Sequence, residues 1–81
     1  MHRLPKITRS GLRKHGGDIV SVYSDRFPDA CPVNGLKGSL RVLEGVPYLS
    51  GSGNGDIPLE SGDRVALEDR NGRERLYRIE L

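Results

Sequence analysis

The sequence has a single cysteine, no tryptophan and one methionine, and each shortage closes off a class of function. Cys31 has no partner in the chain, so a small secreted scaffold held by internal disulfides is excluded. Nucleophilic catalysis needs a base beside the nucleophile and a third group to orient that base. The histidines, His2 and His15, both fall in a glycine-containing N-terminal segment, and Cys31 stands between Pro28 and Pro32, so nothing preorganises a thiol and an imidazole. We expect no catalytic residue. One cysteine and two histidines thirteen positions apart give no metal-ligand spacing, and no acidic cluster has the density of a calcium loop. No metal and no cofactor are therefore expected. No apolar run approaches the length of a membrane span or of a signal peptide's central region, so the sequence reads as a cytoplasmic protein without a membrane partner.

Apolar residues make up only 35% of the 81 positions and charged ones 30%. A chain of this length forms one domain with a thin core, which leaves little room for a deep substrate pocket. Aromatics are scarce as well: Phe27, Tyr23, Tyr48 and Tyr77 are all there are. We expect the core to use at least two of them, which leaves few to stack on nucleic-acid bases.

What the chain does have is unevenly placed charge. Residues 1–17 carry Arg3, Lys6, Arg9, Arg13 and Lys14 and no acid, a local charge of +5 in a protein whose net charge is +2. Pro5, Gly11, Gly16 and Gly17 interrupt any sustained period there, so this segment reads as an extended basic N-terminal arm, with room for a short strand around residues 6–8. Five cations can neutralise phosphates or meet an acidic protein surface.

Residues 18–81 read as a small β-barrel domain. Ile19-Val20-Ser21-Val22-Tyr23 is β-branched and aromatic and too short for a helix, which predicts a strand. Residues 27–35 hold two prolines and an Asn-Gly pair and read as an irregular loop. Residues 39–46 predict a second strand, continuing past Pro47 into Tyr48-Leu49 through a bend or bulge. Ser50, Gly51, Ser52, Gly53, Asn54 and Gly55 have no side chain able to bury appreciable area, and we expect a mobile contact loop. Its glycines are followed by Asp56-Ile57-Pro58 rather than by a lysine and a helix, so they do not form a phosphate loop. Gly62-Asp63 is read as a structural turn in which the carboxylate bonds nearby backbone N–H groups, leading into a strand over residues 64–68. Asn71-Gly72 is the second structural turn, a hairpin signal that joins that strand to a last one over residues 74–81. There Tyr77, Ile79 and Leu81 share one face, which leaves Leu76 on the polar side. Four to six short strands with no convincing helix predict a mostly β fold, a small SH3-like or OB-like antiparallel barrel.

The segments Gly45-Val46-Pro47-Tyr48-Leu49, Asp56-Ile57-Pro58-Leu59, Ser61-Gly62-Asp63-Arg64-Val65 and Leu76-Tyr77-Arg78-Ile79 resemble the closing portion of small tailed-phage head-tail joining and tail-attachment proteins. The resemblance covers residues 40–81. A Gly-Asp turn into a strand also occurs in OB-type barrels such as bacterial translation initiation factors and the soluble domains of some membrane-associated proteases. The phage resemblance implies a virion subunit that acts through protein-protein contacts as one copy in a homo-oligomeric ring, with arm and loop reaching its neighbours; this chain differs in showing no evident N-terminal helix. The leading expectation is therefore a non-catalytic assembly protein, and the alternative is a small barrel that binds DNA or RNA non-specifically through its basic arm.

Overall fold

The computed structural model describes residues 3–25, 35–51 and 55–81. Among the described residues, seven strands and one short helix run in the order β1 (Lys6–Ile7), α1 (Arg9–Lys14), β2 (Ile19–Tyr23), β3 (Leu36–Leu43), β4 (Val46–Ser50), β5 (Ile57–Pro58), β6 (Arg64–Glu68) and β7 (Glu74–Ile79). They form one curled sheet with the spatial order β1-β7-β6-β2-β3-β4-β5. The fold is mostly β, but two features depart from a closed antiparallel barrel. The sheet is a half-barrel whose edges are β1 and β5, with no pairing between them among the described residues. The β1–β7 pair is parallel, Lys6 lying opposite Arg78 and Ile7 opposite Ile79.

That parallel pair overturns the extended arm. Pro5 and Ile7 accept backbone hydrogen bonds from Arg78 and Glu80, each at 2.9 Å, and α1 follows at once. Leu12 is fully buried and Ile7 nearly so, and both belong to the core cluster with Val20, Val22, Leu40, Leu49, Leu59, Val65, Leu67 and Ile79. The glycines that discouraged a helix assignment have a packing role instead. Gly11 lies on α1 where an added Cβ would stand 2.8 Å from the Ile7 side chain, so its lack of a side chain lets helix and strand approach. Six residues form a marginal helix by themselves; burying Leu12, a contribution of roughly 2–3 kcal/mol, offsets the cost of ordering them.

The helix also explains how a half-barrel covers its core. It packs on β1 at one edge and on β3 and β4 toward the other, across the open side of the curl. Gly17 and Asp18 then run alongside β3, the Gly17 N–H donating to Leu40 O at 2.7 Å and the Leu40 N–H to Asp18 O at 2.9 Å.

Three connections fix the register of the strands. The β3–β4 hairpin turns at Glu44 and Gly45, both at positive φ (53° and 78°), the mirror-image turn whose twist suits adjacent strands. Strand β3 thus ends earlier than the sequence reading has it, and Pro47 stands within β4 rather than at a bulge. Proline is tolerated there because the Pro47 carbonyl faces β5, accepting from the Leu59 N–H at 2.9 Å. Its missing N–H therefore falls on the lightly paired side of the strand, away from the β3 ladder.

The β6–β7 connection bends through Asp69, whose carboxylate accepts the Asn71 and Arg73 N–H groups at 2.8 and 3.0 Å. Gly72 supplies the left-handed residue at φ 76°. In the turn before β6, the buried Asp63 carboxylate accepts the Glu60 N–H at 3.0 Å. The Gly62 N–H and the Asp63 carbonyl bond to Ile79 at 2.9 and 2.7 Å, which ties that turn to the last strand.

Candidate nucleic-acid interface

Alternation along each strand sorts side chains to the two faces of the sheet. Val20 and Val22 point inward on β2, so Ile19, Ser21 and Tyr23 point outward; Leu40 is inward on β3, so Lys37, Ser39 and Arg41 are outward; Leu49 is inward on β4, so Tyr48 is outward. On the far side of β2, Val65 and Ile79 are inward, which turns Arg64 and Arg78 outward, and buried Ile7 does the same for Lys6 on β1.

Cross-strand register then assembles a row that no stretch of sequence displays. Lys6 is opposite Arg78, Arg78 opposite Arg64, and Arg64 opposite Tyr23. Three cations thus stand side by side on three adjacent strands, about 5 Å apart per strand, with a tyrosine at the end of the row. One acid answers them: the Glu80 carboxylate lies 3.3 Å from Lys6 Nζ and 3.9 Å from Arg78 Nη2. Arg64 has no acidic partner within ion-pair distance among the described residues. The paired groups are about half exposed, so the two bridges contribute little stability.

The structure divides the five N-terminal cations. Lys6 joins the outward row. Arg9, Arg13 and Lys14 are exposed on α1, and so lie over the opposite side of the sheet. Arg3 precedes β1 and is exposed. His15, at the end of α1, lies with Nδ1 3.1 Å from Asp18 Oδ2.

Three of the four aromatics, of which the core was expected to use at least two, are among the described residues. Among the described residues only Tyr77 packs against the core cluster. Tyr23 and Tyr48 are half-buried on the outward face, and Phe27 lies outside the described residues. The Tyr23 ring lies against the backbone of Gly35, where an added Cβ would come within 2.8 Å of it. Tyr48 is directly opposite Arg41.

Of the loop residues, Ser50 is the last residue of β4 rather than part of the connection, and its hydroxyl donates to Asp56 Oδ1 at 2.8 Å. Gly51 and Gly55 are exposed at positive φ; Ser52, Gly53 and Asn54 lie outside the described residues, as do Cys31 and His2. Among the described residues no group of three or more His, Cys, Asp or Glu side chains is arranged to hold a metal. None of the described helices is long and apolar enough to cross a membrane. Comparison with protein families, with curated proteins and with solved structures gives no match to this chain.

Proposed function

We propose that the protein is a non-catalytic module that binds the phosphate backbone of nucleic acid through the outward row Lys6, Arg78 and Arg64. The observation that carries this reading is the like-charge register itself. Cations directly opposite one another across strands repel and destabilise a sheet, yet three are aligned here with Glu80 as their acidic neighbour. A bound polyanion relieves that repulsion and releases its own counterions. The order of the five longer strands supports an OB-like reading over an SH3-like one: β2 lies between β3 and β6, so the first of the five pairs with the second and the fourth, and β7 pairs with β6.

The test is fluorescence anisotropy with labelled oligonucleotides over a range of salt, comparing the natural chain with a Lys6→Gln/Arg64→Gln/Arg78→Gln variant. Three phosphate contacts are expected to give a slope of log affinity against log salt of about −2 to −3. The variant should bind more weakly and with a slope shallower by about the same amount. Binding that is absent, or insensitive to salt, would remove the reading.

A second reading, an assembly subunit, rests on a different observation. Leu43 and Val46 face each other at the tip of the β3–β4 hairpin and are 45% and 38% exposed, an apolar pair suited to insertion into a neighbouring copy. It accords with the phage resemblance of residues 40–81 and its ring. Light scattering behind size exclusion decides it: a higher-order species that dissociates in a Leu43→Ser/Val46→Ser variant is expected, and a monomer at every concentration would sink it.

A further inference from the structure

We infer that the nucleic acid bound is single-stranded, its bases stacking on Tyr23 and Tyr48 while Arg64, Lys37 and Arg41 hold the backbone. This rests on the proposed nucleic-acid function and names the form of ligand that the same face takes.

The geometry follows from register. Each tyrosine stands directly opposite an arginine: Tyr23 opposite Arg64, Tyr48 opposite Arg41. The two pairs mark the ends of a track along β3. Ser21 pairs with Lys37, which places Tyr23 level with residue 35, whereas Tyr48 is level with residue 41. Six residues of strand separate them along β3, roughly 20 Å, and with two strand spacings across the sheet the rings stand about 22 Å apart.

Between the ends the outward side chains are small or apolar. Ser21, Ser39 and Ser50 line the middle with Ile19, and Ile19 is 61% exposed, an apolar surface against which a base can rest. Lys37 supplies a cation part of the way along. Acids border the middle of the track, Asp56 bonded to Ser50 on one side and Asp18, Glu68 and Asp69 in the shallow pocket beside Ile19 on the other. They discourage phosphate beside them and leave the backbone to Arg64, Lys37 and Arg41. An extended single strand advances about 6–7 Å per nucleotide, so the track takes three or four. A duplex, whose bases are already stacked on one another, cannot use the tyrosines at all.

The experiment measures anisotropy with a labelled twelve-residue oligo-dT, the matching oligo-rU, and a twelve-base-pair duplex, using the full chain and two variants, Tyr23→Ala/Tyr48→Ala and Tyr23→Phe/Tyr48→Phe. Both single strands should bind at least tenfold more tightly than the duplex. The alanine pair should lower single-strand affinity about a hundredfold or more while duplex affinity stays within twofold, since each stacked base contributes about a factor of ten. The phenylalanine pair keeps the π-faces and should bind as the natural chain does, which separates stacking from folding. Equal binding of single strand and duplex, unchanged by the alanine pair, would overturn the inference while leaving the phosphate-binding reading intact. Failure to bind any of the three probes would overturn both.

Discussion

Leu12→Ala is expected to cost about 2–5 kcal/mol, the usual range for emptying a fully buried leucine site. The whole stability of an 81-residue domain is about 4–12 kcal/mol, so this one substitution removes a large share of it. The reason is positional. Leu12 is the fully buried side chain of α1, and α1 is what lies across the open side of the half-barrel; without its anchor the six-residue helix has little left to hold it, and the core beneath is exposed to water. Urea denaturation followed by far-ultraviolet circular dichroism measures the effect as a fall in the midpoint. Arg13→Ala, on the exposed half of the same helix, should leave the midpoint within about 0.5 kcal/mol. Equal midpoints for Leu12→Ala and the natural chain would show that α1 is not docked.

The same reasoning governs how the charge of the N-terminal segment is to be tested. Deleting residues 1–17 removes five cations, but it also removes Ile7, Leu12 and the strand that covers the edge of β7. A loss of binding after that deletion would report unfolding as readily as charge. Substitutions on the outward face avoid the difficulty, because none of Lys6, Arg64 or Arg78 is buried.

Much of the sheet was legible because its signals are local. The β-branched run over β2, the alternation in β6 and β7 and the Asn-Gly between them all lie within a few residues of the structure they specify. The hairpin even locates two of the three cations of the row: counting outward from residues 69–73 pairs Arg64 with Arg78. The β3–β4 turn was less legible, since Glu44 adopts a positive φ that glutamate rarely takes. In the N-terminal segment the short strand around residues 6–8 was legible and is β1; the rest was not, because what orders it is remote. Its helix has poor propensity, and its apolar residues Ile7 and Leu12 reach the core; its strand pairs with β7, some seventy residues away, through a parallel contact that no turn announces. Which of the tyrosines the core takes was not legible for a related reason. Nothing local separates Tyr23 and Tyr48 from core residues in a thin-cored chain; the inward direction of Val22 and Leu49 is what puts them, half-buried, on the outward face.

Opposite effects from opposite charge changes at the two sides of the cation row are the last expected result. Arg64→Glu reverses a charge that has no acidic partner among the described residues, and places an anion between Arg78 and Tyr23. At low salt, nucleic-acid affinity should fall on the order of 100-fold, about tenfold per unit of charge. Glu80→Gln does the reverse. It removes the carboxylate that Lys6 and Arg78 share, frees both for phosphate, and should raise affinity about threefold to tenfold and steepen the salt dependence. Because the two bridges to Glu80 are half exposed, their loss should lower stability by less than about 1 kcal/mol. Tighter binding from a slightly less stable protein cannot come from damage to the fold. If Glu80→Gln leaves affinity and salt slope unchanged while Arg64→Glu abolishes binding, Arg64 acts without its neighbours and the row is not the contact surface.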